Sequence, residues 1–156
     1  MRLPNLQRVP AAALAAVPLL LLVSAVFADD SDESRAASWE PVIVLTDNAQ
    51  VFAGPKAGPK IPPGTIVYIS QRKDEWLLVP RYNNWLHEKH VRSLPTALAY
   101  LNEQIKTKPT AVLHHYRAIV LSELGRAQEA IADFDAAIMM GNAESNVFLN
   151  RGLAWG

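Results

Sequence analysis

The strongest constraint on this chain is a change in hydrophobic period near Pro95. Upstream of it, short β-branched and aromatic runs such as 66–69 and 76–79 are separated by Gly, Pro, Asn and Asp, which is typical of strands joined by tight turns. Downstream, apolar residues recur at i, i+3, i+4 and i+7, the period of an amphipathic helix. The pattern predicts a β + α fold of two modules, with a small β-barrel or meander over residues 40–94 followed by helices.

Four helices are expected after the switch. Residues 95–109 are predicted to form a connecting helix, and a second helix runs from about Thr110 to Leu124 and ends at Gly125, a residue suited to a left-handed helix end. A fourth helix begins near Ala143. The third helix, from Arg126 to about Met140, carries an apolar stripe made of Ala127, Ala130, Ile131, Phe134, Ala137 and Ile138.

A sequence repeat links two of these helices. The segment 116–121 is echoed by 150–155, with Arg117 recurring as Arg151. This period and the pattern within residues 110–156 resemble tetratricopeptide repeats, with one full repeat at 111–144 and part of a second. The residues that carry the resemblance are Ala118, Gly125, Ala130, Phe134, Ala137 and Gly152.

The resemblance to this family implies a concave surface that binds a protein or peptide partner. Its expected lining is Val112, His115, Ile119, Ser122, Asn146, Leu149 and Leu153. The alternative is that Ile119, Leu149 and Leu153 only pack against neighbouring helices. Because the second repeat lacks its second helix, we expect the chain to be a piece of a longer array, or a short array completed by oligomerisation.

Residues 40–94 resemble a bacterial SH3-like barrel. The resemblance is carried by the Gly54-Pro55 turn, the Pro63-Gly64 turn, a strand that begins at Trp76 and a closing strand that begins at Trp85. It implies that Trp76, Tyr82 and Trp85 form a face for a ligand such as a cell-wall peptide. The alternative is that the tryptophans fill the core of a small barrel, since aromatic side chains dominate small cores.

The segment 1–28 reads as a secretory signal. Arg2 and Arg8 precede an uncharged apolar stretch at 11–26, and the small residue before the cleavage point predicts cleavage after Ala28. The following acidic segment, 29–39, is expected to be a flexible linker. We therefore expect an exported bacterial protein that is periplasmic, secreted or associated with the cell envelope. The alternative is an uncleaved membrane anchor, and contact with a membrane is expected only in that case.

Composition and motifs indicate a protein without catalytic chemistry. The 15 basic and 15 acidic residues balance, which argues against a nucleic-acid partner. The chain has no cysteine, and therefore no disulfide or thiolate site. His87 and His90 are one residue too close for the HExxH metal motif and are expected to be solvated, like Asp133 on the third helix. No metal site, cofactor or catalytic residue is predicted.

These observations lead to two functional hypotheses. The first is an exported, non-catalytic scaffold whose helices bind a protein partner. The second is a cell-envelope protein that binds peptidoglycan or a peptide through its β module.

Overall fold

The computed structural model describes residues 39–142 and 145–154. The signal segment with its cleavage point after Ala28, and most of the linker, lie outside the described residues. Within the described ranges, eight strands are followed by four helices, so the predicted order of a β region and then a helical region is confirmed.

The strands form two sheets instead of the single closed barrel that we expected. The smaller sheet has the strand order β4-β1-β8, and the larger has the order β3-β2-β7-β6-β5. The barrel is not closed, because no strand ladder in the described residues joins the outer strands β4 and β8 of one sheet to the outer strands β3 and β5 of the other. The strands are β1 Glu40–Val44, β2 Gln50–Ala53, β3 Lys56–Lys60, β4 Ile66–Ile69, β5 Gln71–Lys73, β6 Trp76–Val79, β7 Asn84–His87 and β8 Val91–Ser93.

Strand β1 contributes to two different cores through its alternating side chains. Val42 and Val44 face the larger sheet, where they join the buried residues of the β region, among them Val51, Leu77 and Leu86. Ile43 points the opposite way, toward the helices, and is fully buried there. This follows from the period of two in a strand, which sends neighbouring side chains to opposite faces.

The helices are α1 Leu94–Thr107, α2 Ala111–Glu123, α3 Ala127–Met139 and α4 Ser145–Leu153. The Thr110 hydroxyl accepts a hydrogen bond from the Leu113 amide at 3.3 Å and so caps the start of α2. Gly125, with φ of 73°, allows the tight turn between α2 and α3, because a left-handed conformation strains other residues.

Helices α2 and α3 pack closely through small side chains. Ala118 on α2 and Ala130 and Ala137 on α3 are fully buried. Phe134 fills the space between the helices and is also fully buried, and Val147 of α4 joins the same cluster. Burying a side chain of the size of Phe134 stabilises the fold by about 1.5–3 kcal/mol.

The two regions share a third core, which joins them into one packed unit. Helix α1, in the segment expected to act as a connector, supplies Leu94, Ala97 and Leu101, which pack with Ile43 of the sheet and Val120 of α2. The junction therefore consists of fully buried apolar side chains from both regions, and not of a solvated linker.

Two further contacts fix this junction at its edge. Gly64, in the turn before β4, lies directly against the Tyr116 ring, so that a Cβ at Gly64 would sit 2.6 Å from Cε1 of that ring. The Tyr68 hydroxyl on β4 donates a hydrogen bond to the Glu123 carboxylate on α2. That hydrogen bond, assisted by burial and by the negative charge of Glu123, raises the pKa of Tyr68 above its ordinary value.

In the described part of the chain, none of the helices combines the length and the apolar character that a membrane span requires.

Candidate functional site

An open cleft lies between β5 and β8, the facing outer strands of the two sheets. It encloses about 580 Å³, a volume in the usual range for ligand pockets. Strands, two short connections and the first turn of α1 all contribute to its wall. Its lining residues are Val42, Arg72, Glu75, His87, Glu88, Lys89, Val91, Arg92, Ser93 and Thr96.

His87, the last residue of β7, is the most buried polar group of the cleft wall, with 7% of its surface exposed. Its Nδ1 accepts a hydrogen bond from the Lys89 amide at 3.3 Å, and its Nε2 lies 3.3 Å from Oε2 of Glu75. Because Nδ1 is an acceptor, the ring proton belongs on Nε2, where it points at the Glu75 carboxylate. His87 is therefore assigned as a neutral ring whose Nε2 lies close to the Glu75 carboxylate.

The turn between β5 and β6 is tied to the segment after β7. The Glu88 amide donates to the Glu75 carbonyl at 2.9 Å, and the His87 ring lies 5.0 Å, centroid to centroid, from the Trp76 ring. Asp74 makes the turn itself with φ of 54°. The carboxylates of Glu75 and Glu88 are therefore held at the same end of the cleft.

His90 lies behind this wall and is also buried. Its Nδ1 is 2.9 Å from the Thr46 hydroxyl. Burial lowers the pKa of His90 below its ordinary value of 6.5, and the positive charge of Lys89 lowers it further. The prediction that His87 and His90 are solvated is wrong, because the turn at Glu75 and the loop at Thr46 cover the two rings.

The other end of the cleft is basic and rich in hydroxyl groups. Arg72 donates to both oxygens of Glu40, at 2.8 and 2.9 Å, and the guanidinium of Arg92 lies 4.6 Å from the centre of the Tyr100 ring. At the start of α1 the Ser93 hydroxyl donates to the Thr96 hydroxyl at 2.9 Å. This end of the cleft had no signal in the sequence, because β5 is a short polar strand with no apolar pattern.

Across residues 39–142 and 145–154, no three His, Asp or Glu side chains come together in a way that could hold a metal ion.

The three aromatic residues expected to form a ligand face do not come together. Trp76 and Trp85 pack with Leu78 and Phe52 on one face of the larger sheet, and both indole rings are buried. Tyr82 lies in a 3-10 turn after β6 and packs instead against the core of the β region.

A buried charge network joins the first three helices. Arg117 of α2 donates to both oxygens of Asp133 on α3, at 2.6 Å each, and to the side-chain oxygen of Asn102 on α1 at 2.9 Å. His114 Nδ1 lies 2.8 Å from Oδ1 of the same aspartate. The hydrogen bond to Asp133 raises the pKa of Arg117. The prediction that Asp133 is solvent-facing is wrong, because it occupies the packed side of α3 and is 5% exposed.

The residues expected to form a concave binding surface are divided between the core and the outside. On α2, His115 is buried against the rings of Tyr116 and Phe134, Ile119 packs in two apolar clusters, and Ser122 is half-buried. The exposed members are Val112, Asn146, Leu149 and Leu153.

Comparison with protein-family models, curated proteins and solved structures finds no match to this chain. The assignment to tetratricopeptide repeats and to bacterial SH3-like domains is therefore wrong. The structure contains a physical reason for the helical part of the error. Ala118 makes a buried helix contact, whereas Gly152, its counterpart in the second segment, is exposed and has open space where a side chain would lie. The sequence echo thus does not reproduce the same packing.

Proposed function

We propose that this protein is an exported, non-catalytic binding protein whose last described helix receives an apolar helix of a partner protein. The observation that carries the proposal is the apolar outer face of α4. A helix on the surface of a globular protein normally presents polar residues on the side opposite its packed face.

Helix α4 departs from that rule. Its inner side is anchored by Val147, which is fully buried against α3. At about 100° per residue, Phe148, Leu149 and Leu153 fall on an arc of roughly 140° centred opposite that anchor. They are 47%, 63% and 71% exposed. An exposed apolar arc of this width is typical of an interaction site. It supports a bound state in which a partner surface covers the outer side of α4.

The charges around this arc indicate the chemistry of the partner. Ser145, Asn146 and Asn150 place uncharged polar groups on the arc and beside it, and the nearby Arg151 is neutralised by Asp135 at 2.7 Å. A charged partner surface would lose its hydration without gaining a countercharge. We therefore infer an uncharged, amphipathic partner helix that contributes apolar side chains at helical spacing.

A designed peptide tests this function directly. The probe carries leucine at i, i+3, i+4 and i+7 with serine, asparagine and glutamine elsewhere, and a scrambled peptide of equal composition is its control. We expect saturable binding of the patterned peptide to the intact protein by isothermal titration calorimetry. Leu149→Ser should weaken binding by about tenfold, which corresponds to the loss of one anchor of about 1.4 kcal/mol.

Val112→Ser is the matched control, because Val112 is an exposed apolar residue at the start of α2. It should leave the affinity unchanged. Equal binding of the scrambled peptide, or equal weakening by the two variants, would contradict the proposal. Sedimentation velocity tests whether the protein binds itself. If the wild type self-associates and Leu149→Ser does not, the partner of α4 is a second copy of this chain.

Export is supported by the order of charged, apolar and small residues in the segment 1–28. Mass spectrometry of the protein recovered from a bacterial host tests this part. The expected mass is that of a chain that begins at Asp29. A chain that retains Met1 and is recovered in the membrane fraction would show an anchored protein instead.

A further inference from the structure

The cleft between β5 and β8 is acidic at one end. Glu75 and Glu88 are held together there by the bond from the Glu88 amide to the Glu75 carbonyl. His87 is neutral in the tautomer assigned above, and Lys89 supplies one positive charge. This end therefore has a net negative charge, and most of the Glu75 side chain is exposed.

The opposite end is basic. Val42 pairs with Ser93 in the ladder between β1 and β8, so Glu40, two residues earlier, lies beyond Ser93 toward α1. Arg72 is bonded to Glu40, which places its guanidinium at the same end, and about half of the Arg72 side chain is exposed. Arg92 adds a second positive charge at the border of the cleft, where its guanidinium lies over the Tyr100 ring. The Thr96 hydroxyl, which accepts from Ser93, has its own hydrogen to donate.

The two ends are separated by the length of a short extended peptide. One wall runs from Glu88 through a 3-10 turn and β8 to Ser93, a path of roughly 10–13 Å at the usual rise of these elements. Three residues of extended chain span about 10 Å. A tripeptide with free ends thus carries its two charges at a matching distance.

The edge of β8 also offers main-chain groups to such a ligand. The Leu45 amide donates to the His90 carbonyl at 3.2 Å. In the same antiparallel ladder the next hydrogen-bonded residue is two positions along, so Arg92, opposite Ile43, is the other residue of this segment that bonds to β1. Because antiparallel pairs alternate, the Val91 carbonyl and the Ser93 amide point away from β1. They present one acceptor and one donor on the open side of the strand, the pair that a peptide main chain requires.

We propose that this cleft binds a short extended peptide with free termini. Its ammonium group lies at Glu75 and Glu88, and its carboxylate lies at Arg72, Ser93 and Thr96. The site is separate from the outer face of α4, and neither Trp76 nor Trp85 is among its lining residues.

Titration calorimetry with the full chain tests the site, with tri-alanine as the probe. The comparison ligands are tri-alanine acetylated at its amino end, tri-alanine amidated at its carboxyl end, and single alanine. We expect saturable binding of free tri-alanine, about tenfold weaker binding after either end is blocked, and weaker binding still of single alanine, which cannot span the cleft.

Glu88→Gln identifies the ammonium end. The Glu88 carboxylate has no ion-pair partner within the described residues, so the substitution should leave the fold intact, as checked by circular dichroism. The substitution should lower the affinity for free tri-alanine and leave the affinity for the acetylated peptide unchanged. The matched control is Glu103→Gln, an exposed carboxylate on α1 outside the cleft.

Three results would overturn the site. They are equal affinity for free and blocked peptides, no saturation up to about 10 mM, and equal effects of Glu88→Gln and Glu103→Gln. Leu149→Ser should keep full affinity for tri-alanine, so a failure of the cleft and a failure of the α4 surface are distinguished in the same set of proteins.

Discussion

Replacing Asp133 with alanine measures how strongly the buried charge network joins the first three helices. The wild-type carboxylate accepts two short hydrogen bonds from Arg117 and one contact from His114. Its removal leaves the Arg117 guanidinium, 23% exposed, with Asn102 as its remaining bonded side chain among the described residues. Breaking a buried pair by removing one partner costs about 3–5 kcal/mol. Because Arg117 regains some hydration, we expect the lower end, about 3 kcal/mol.

Urea denaturation is the appropriate assay, followed by far-ultraviolet circular dichroism and by tryptophan fluorescence. The first signal reports mainly on the helices, and the second includes the buried Trp76 and Trp85 of the β region. Because both regions share one core, the two signals should change together in the wild type and in the variant. A loss of about 3 kcal/mol is a large part of the 5–15 kcal/mol that is typical of a domain.

A double substitution separates the ion pair from the packing. Arg117→Met with Asp133→Leu removes both charges, and apolar replacement of a buried pair is often close to neutral. The double variant should therefore be more stable than Asp133→Ala alone. An Asp133→Ala variant within about 0.5 kcal/mol of wild type, or a double variant less stable than both other proteins, would show that this ion pair does not hold the helices together.

Three further predictions concern the junction and the cleft wall. Gly64→Ala should cost about 1–3 kcal/mol more than Gly125→Ala in urea denaturation, because both glycines have positive φ but only at Gly64 would the new Cβ meet the Tyr116 ring. The pKa of His90 is below 6.5 in the folded protein because the ring is buried. His90 therefore stabilises the fold above pH 6.5, and this contribution is lost as the pH falls through its folded pKa. His90→Gln should lose less stability than wild type between pH 7 and pH 5. Tyr68, with a pKa raised above 10.0 by the hydrogen bond described above, contributes stability below pH 10 that is lost as the pH rises through its folded pKa, so Tyr68→Phe should flatten the decline in thermal stability above pH 10.

The helices were predictable from the sequence because their signals are local. The stripe on α3 already contained a hint about its buried charge, since Ala130, Asp133, Phe134 and Ala137 occupy i, i+3, i+4 and i+7. An aspartate on the apolar face requires a partner, and Arg117 lies on another helix. The position of Asp133 could be read from the period, but its partner depends on how the helices pack.

The sheets were less predictable because two of their outer strands, β3 and β5, have no apolar pattern. Strand β3 contains Gly58 and Pro59, which read as a turn, yet it pairs with β2 along the edge of the larger sheet. Proline is tolerated at a sheet edge, where no further strand needs its amide. Gly58 lies against Val51, whose Cγ2 would be 3.0 Å from an added Cβ. Outer strands of this kind are defined by their neighbours in space, and so is the cleft between β5 and β8.

The place of β1 in the sheet also sets the order in which this chain folds as it is made. Although β1 is the first described strand, it lies between β4 and β8, and Ile43 needs Leu101 and Val120 to cover it. A ribosome must therefore synthesise most of the described chain before the first strand has its partners on both edges and on both faces. Until then Ile43 and the two edges of β1 lack the partners that they have in the folded protein.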